Sequence, residues 1–278
     1  MDWPAITSWL WENRTDVRKL VSELYSWLRR PTAVDGRERG ILILGAGGVG
    51  KSTLARILSG QFDWLLDEPW RYEESFGIET YSIGGEKPVA VAVLPGQKAR
   101  RESTWGQLLA NLTAGEYRGV ILVSANGYHD PGRASYKTHA MYHGNKEAFT
   151  AELLEANRVD ERSIIDLLMP ALRNSKDRLW LLSVVTKEDL WFGGADTMAA
   201  WLPDGERGKR FAGVTAIKGA AAFRFEAAST SLVVSNFVTG EGEVLAKNLA
   251  GYDHKRSIES IRRLMEVLTA LQEWEESK

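Results

Sequence analysis

Nine consecutive residues, Gly45-Ala46-Gly47-Gly48-Val49-Gly50-Lys51-Ser52-Thr53, hold the strongest chemical signal in this 278-residue chain. They follow the apolar run Ile41-Leu42-Ile43-Leu44 and precede Leu54-Ala55-Arg56-Ile57-Leu58, so a strand, a glycine-rich turn and a helix are expected in that order. The pattern is G-x-x-x-x-G-K-[ST], the phosphate-binding loop. A polyphosphate carries several negative charges, and a chain answers them by curling successive backbone N–H groups around it at the positive end of a helix. Residues without a side chain let the backbone come that close. Lys51 is expected to reach the beta and gamma phosphates, and the Ser52 hydroxyl to ligate Mg2+. Gly45, Gly47 and Gly50 also satisfy the dinucleotide fingerprint G-x-G-x-x-G, with Asp63 or Asp67 near the place of its ribose-binding acid. Lys51-Ser52 argues against that alternative, since a dinucleotide site has no need of a lysine and a hydroxyl there.

A second group follows the apolar run Leu179 to Val185. Thr186-Lys187-Glu188-Asp189 places a carboxylate just past a strand. One carboxylate can accept hydrogen bonds from both N1–H and the exocyclic amine of guanine, groups that adenine does not present in that form. Lys187 is expected to lie along the base plane. The C-terminal ends of strands are where open α/β sheets bind ligands, so the position agrees with the chemistry.

Together these residues resemble the Ras-like GTPases, closest in motif style to the Arf and heterotrimeric G-protein alpha branch. Thr186 to Asp189 resembles that family's [NT]KxD guanine motif. Ser75-Phe76-Gly77-Ile78-Glu79-Thr80 resembles its first switch, with Ser75 at the Mg2+-coordinating hydroxyl position. Pro95-Gly96-Gln97, followed by Arg100, Arg101 and Trp105, resembles the second switch, whose Gln positions the attacking water. Ser235-Asn236-Phe237-Val238-Thr239-Gly240-Glu241-Gly242 resembles the last base-binding loop. The resemblance implies a mostly parallel six-stranded α/β P-loop GTPase sheet with helices on both faces, over residues 39–278. It implies binding of GTP and GDP with Mg2+, slow GTP hydrolysis, and signalling to a protein effector or regulator through the switch loops.

Two departures qualify this. The family's second switch begins with an Asp that holds Mg2+ through water, and this chain reads Val93-Leu94-Pro95-Gly96-Gln97. A non-hydrolysing nucleotide-binding interaction module is therefore the alternative. The family's cis-acting arginine falls on Tyr72; Arg71 is adjacent, one place out of register, and is either a charge-stabilising catalytic group or an ordinary surface arginine. An ATP-dependent P-loop enzyme is a third reading, which Lys187 and Asp189 oppose.

The elements that must position these groups are legible as alternation. Strand-like runs at Ile41 to Leu44, Val89 to Leu94, Gly119 to Ser124, Leu179 to Val185 and Leu232 to Phe237 alternate with helical stretches around Leu108, at Phe149 to Ala156, at Ser163 to Leu172, and in a last helix with Asp253 as N-cap. Residues 125–147 and 203–231 break the alternation and are expected to be insertions. The first is a long loop, and the second holds a small hairpin formed by Phe211 to Lys218 and Ala221 to Glu226. His129, His139 and His143 in the first insertion are close in sequence, but a solvated or partner-contacting loop is a better account than a metal site.

Residues 1–38 carry apolar positions at helical spacing, from Ile6 to Leu28, and form an expected N-terminal amphipathic helical extension. It holds Trp3, Trp9, Trp11 and Trp27 of the chain's 11 tryptophans, so it needs a cover: the protein's own body, a partner, or peripheral membrane contact. The net charge of -2 argues against nucleic acid as partner. No stretch reaches the ~20 apolar residues of a membrane span. With no cysteine and no secretory pattern at Met1-Asp2-Trp3-Pro4, a cytoplasmic address is expected.

Overall fold

The computed structural model describes residues 39–61, 77–83, 89–132, 134–193, 195–202 and 204–277. The expected N-terminal extension, Asp63, Asp67, Arg71, Tyr72 and Ser75 lie outside the described residues. In chain order the elements are β1 (Gly40–Gly45), α1 (Lys51–Leu58), β2 (Glu79–Ile83), β3 (Val89–Val93), α2 (Lys98–Ala114), β4 (Tyr117–Ser124), α3 (Lys146–Asn174), β5 (Leu179–Val185), the single turns α4 (Glu188–Trp191) and α5 (Ala195–Ala199), α6 (Gly208–Lys218), β6 (Phe223–Ser229), the short β7 (Phe237–Val238) and β8 (Val244–Ala246), and α7 (His254–Glu276).

The expected six-stranded, mostly parallel α/β sheet is present, in the order β2-β3-β1-β4-β5-β6. Only the edge pair β2 and β3 is antiparallel. Every residue of β5 is buried, as is β4 beyond Tyr117; the runs Val120 to Val123 and Leu179 to Leu182 are apolar throughout because helices cover both faces, and Arg118, Ser124 and Ser183 are the polar side chains among the buried positions. Helix α1 lies against β1, β2 and β3, and α7 against β5 and β6. Asp253 caps α7, accepting from Arg256 N at 2.9 Å. No helix among the described residues is long and apolar enough to cross a membrane.

Three expectations are corrected. The helices expected at Phe149 to Ala156 and Ser163 to Leu172 are one helix of 29 residues, α3. The polar stretch between them resembles a break but is bound within and beside the helix: Glu155 pairs with Arg162 at 2.8 Å, and Asp160 with Arg101 of α2. The 203–231 stretch holds no hairpin. Phe211 to Lys218 belongs to α6, burying Phe211 and Val214 one turn apart, and Phe223–Ser229 is the sixth strand, in register with β5 from Leu179↔Phe223 to Val185↔Ser229. Arg224 and Glu226 share one face of this edge strand and pair at 2.8 Å, with Arg224 also donating to Ala270 O of α7 at 3.3 Å, while Phe225 on the other face packs on Phe211; that charged pair disguised the strand as a turn-rich insertion. Leu232 to Val234, expected within the last strand, are instead half-buried loop residues.

Candidate functional site

β1 delivers its carboxyl end straight into the glycine loop, and α1 begins at Lys51 with no side-chain cap and no acid in its first turn. The first N–H groups of a helix have no partner within it, so this end is chemically suited to an anion. Gly45, Ala46, Gly47, Gly48, Val49, Gly50, Lys51, Ser52 and Thr53 thus form one continuous strand, loop and helix start. Gly48 has φ 71°, and a Cβ there would stand 2.5 Å from Asp130 N, so only glycine lets the segment after β4 rest on the loop. Asp130 N donates to Gly48 O at 3.1 Å.

The Lys51 ammonium, 8% exposed, donates to Ala46 O at 2.7 Å, back across the loop. Burial pushes it down to about 7, opposed by the charge of Glu79 and aided by that of Arg101. Ser52 Oγ donates to Glu79 Oε1 at 3.2 Å, and the Tyr81 hydroxyl donates to Glu79 Oε2 at 2.7 Å. Glu79 is a group that sequence reasoning passed over; it stood inside the switch-like stretch with no role attached.

Past β3 the chain is held against the loop. Leu94 N donates to Ile43 O at 3.0 Å, and the Trp105 indole N–H donates to Pro95 O at 3.1 Å. A Cβ on Gly96 would stand 2.3 Å from the Ala46 carbonyl carbon, so Gly96 lies directly on the loop's backbone. Gln97 follows, its Cγ 3.6 Å from where a Cβ of Gly47 would be. Val93 is buried and pairs across the sheet with Glu79.

At the other end, Thr186 closes β5. Its hydroxyl lies 2.7 Å from Val49 O and 3.0 Å from Ser124 O, tying this strand end to the glycine loop and to β4. Lys187 adopts a left-handed conformation, φ 56°, and its ammonium lies 5.8 Å over the Phe237 ring. Burial pushes that ammonium down to about 8, against the charges of Asp130 and Asp189. Asp189, 1% exposed, accepts from Ser231 Oγ at 2.5 Å through Oδ1 and from Ser235 N at 2.9 Å through Oδ2. Burial raises its carboxyl above the usual range, opposed first by those two hydrogen bonds.

Of the expected last base-binding loop, Ser235 meets Asp189 through its backbone N–H, whereas Asn236 accepts from Asn248 N at 3.0 Å and Phe237 is buried with Phe149, Leu153, Leu190 and Leu245. Ser231 was not anticipated. It lies two residues past the end of β6, so reading that strand as part of an insertion hid it. α7 fixes its backbone from both sides, Ser231 N donating to Ser260 Oγ at 3.1 Å and Ser257 Oγ donating to Ser231 O at 2.6 Å.

The segment after β4 is anchored by a buried carboxylate from α3. Glu161 Oε1 accepts from Ala125 N at 2.8 Å and Gly127 N at 3.2 Å and meets His129 Nε2 at 3.0 Å, while Oε2 meets Arg207 at 3.4 Å. His129 is thus structural. His139 packs on Phe149, and His143 is exposed. No group of three or more metal-ligating side chains occurs among the described residues.

No protein-family model matches the chain, and a search of curated proteins returned no match. Solved structures are similar to it. The signal recognition particle receptor SRb-GTP/SRX complex from Chaetomium thermophilum gives a TM-score of 0.41 at 13% identity, covering 70% of this chain and 91% of that one. The mammalian SRP receptor gives 0.40 at 16% identity, covering 84% and 100%. The ADP-ribosylation-factor-like small COPII coat GTPase SAR1 from Encephalitozoon cuniculi, in complex with GDP, gives 0.36 at 13% identity, covering 95% of each chain.

Proposed function

We propose that this chain is a guanine-nucleotide-binding switch of the Ras-like GTPase type, nearest in motif style to the Arf and G-protein alpha branch, taking GTP and GDP with Mg2+. The observation that carries this reading is the Thr186 hydroxyl on Val49 O, which builds the phosphate-suited loop and the Asp189 carboxylate into one frame. A nucleotide needs both ends at a fixed separation, and a buried hydrogen bond between them supplies it. Asp189 keeps acceptor capacity for a base, since a carboxylate has about four lone-pair positions and three are used here, by Ser231, by Ser235 N and by its own backbone N–H.

The oxygen chemistry at Ser52, a hydroxyl with the Glu79 carboxylate 3.2 Å away, suits Mg2+, which takes hard oxygen ligands and keeps several waters. When bound, Mg2+ neutralises charge on the terminal phosphates. Lys51 exchanges Ala46 O for phosphate oxygen and holds its proton there. Gln97, beside Gly47, orients water. Arg71 and Ser75 keep in this reading the charge-stabilising and metal-binding roles that the family resemblance implies. Partners, an effector or regulator protein, engage residues 71–80 and 93–105 in the cytoplasm, and residues 1–38 form a helical extension.

Competition of GTP against ATP for a fluorescent guanine nucleotide tests the base and phosphate reading together: GTP displaces it and ATP does not. Buried Val93 in place of a metal-facing carboxylate favours slow turnover and sustains the non-hydrolysing module as a second reading. Single-turnover hydrolysis separates the two. Gln97→Leu abolishes the rate if the chain is an enzyme; an unchanged rate with GTP still bound removes Gln97 from the chemistry.

A further inference from the structure

Glu79 stands at the first position of β2, an edge strand whose neighbour β3 ends on Val93, and the two residues are direct partners in the antiparallel register. Facing residues of such a pair lie about 4.5 to 5.5 Å apart at Cα, so a carboxylate on either strand serves nearly the same point in space. β3 carries none there. β2 does, and two of its contacts orient it: Ser52 Oγ donates to Oε1 at 3.2 Å, and the Tyr81 hydroxyl, two residues along on the same strand face, donates to Oε2 at 2.7 Å. The negative charge is also felt by the Lys51 ammonium. A serine hydroxyl that gives its proton to a carboxylate turns its lone pairs outward, which is the orientation a cation needs from it.

Resting on the guanine-nucleotide reading above, we infer that Glu79 is the carboxylate that orients the Ser52 hydroxyl and holds the Mg2+ of the bound nucleotide, supplied from β2 in compensation for Val93 on β3. The carboxylate acts on a water of the metal or on the metal itself, and in both cases its removal weakens Mg2+ rather than the nucleotide's own hold on the glycine loop. Glu79 thereby answers the absence noted in the sequence from a position that the motif does not inspect.

The test reads Mg2+ dependence, not turnover. Release of a fluorescent GDP analogue is followed across a Mg2+ titration and in excess EDTA, with folding checked by thermal melting. Glu79→Gln lowers the apparent Mg2+ affinity about 10- to 150-fold, the worth of one charge-assisted hydrogen bond, and leaves the EDTA rate unchanged. Adding Val93→Asp to Glu79→Gln restores the Mg2+ dependence from the opposite strand. Glu79→Asp, which keeps the charge on a shorter arm, falls between wild type and Glu79→Gln, and stands in for it should the amide variant not fold. The inference is overturned if Glu79→Gln and Glu79→Asp titrate like wild type, if the loss is equal with and without Mg2+, or if wild type binds the analogue with no Mg2+ dependence. If wild type binds no guanine nucleotide at all, the function proposed above is what fails, and the role of Glu79 fails with it.

Discussion

At the glycine-loop end of the site the key groups come from nine consecutive residues between β1 and α1, and backbone supplies most of them. At the Asp189 end the groups arrive from three segments: Thr186 to Asp189 after β5, Ser231 and Ser235 after β6, and Ser257 and Ser260 of α7, which hold Ser231 in place. The first end is shaped by conformation, the second by a chain of buried side-chain hydrogen bonds. A cradle of backbone is most sensitive to changes in its lysine and its glycines. A network of hydrogen bonds loses function in increments, one donor at a time.

The most severe break is expected at Lys51. Lys51→Ala removes a buried ammonium beside the loop and should cost about 100-fold or more in GTP affinity by calorimetry, the worth of one to two charge-assisted hydrogen bonds. Retention of near-wild-type affinity would falsify the phosphate role of the loop. Asp189→Asn comes next. It should weaken GTP about 10- to 150-fold and improve relative binding of the xanthosine nucleotide, whose 2-oxo group accepts from the amide. An unchanged base preference would reduce the tetrapeptide to a turn.

Thr186→Val tests the bridge between the ends. It keeps the shape, removes the hydroxyl from Val49 O and Ser124 O, and should destabilise by about 1 to 3 kcal/mol, read as a fall in Tm of several degrees. Pyrophosphate affinity should fall with it, since the loop loses its tie; pyrophosphate binding that stays intact would show the two ends to be independent. Ser231→Ala removes one of the donors to Asp189 and should cost about 1 kcal/mol, roughly fivefold in GTP affinity, with pyrophosphate unaffected.

pH acts on both ends in the same direction. Burial lowers Lys51 to about 7 and Lys187 to about 8, while an unfolded lysine titrates near 10.4. Between those values the unfolded chain holds more protons than the folded one, so stability in the absence of nucleotide rises with pH through that window. Melting curves from pH 7 to 9 measure it, and Lys51→Met should flatten the rise. Phosphate at Lys51 favours its charged form, so GTP binding near pH 8 should take up protons, visible as a dependence of the calorimetric heat on buffer ionisation. A proton count of zero would place the lysine away from phosphate.

Much of the scaffold was legible. β5 is legible from Leu179 to Val185, the bounds found, because a buried parallel strand is a nearly continuous apolar run, broken here only by Ser183. β1, β3 and β4 were visible for the same reason, and Asp253 announced α7 through its capping chemistry. β6 was not, since an edge strand shows one polar side, and Arg224 and Glu226 read like a turn. α3 was divided in two because its middle carries charges whose partners, Glu155 on its own surface and Arg101 on another helix, only the fold brings together.

The sequence alone determined the strand, glycine loop and helix from β1 to α1, because that geometry depends on local backbone conformation and on which residues lack a side chain. It also named Thr186, Lys187 and Asp189, because a motif at the end of an apolar run has few places to go. Tertiary structure decided what touches them. Glu79 reaches Ser52, Thr186 reaches Val49, and Ser231 and Ser235 reach Asp189 only because the sheet order puts β2 next to β3 and β3 next to β1, sets β5 one strand from β1 across β4, and brings β6 alongside β5. Contacts between residues far apart in sequence carry no local periodicity or propensity, and the order of strands in the sheet is the quantity that creates them.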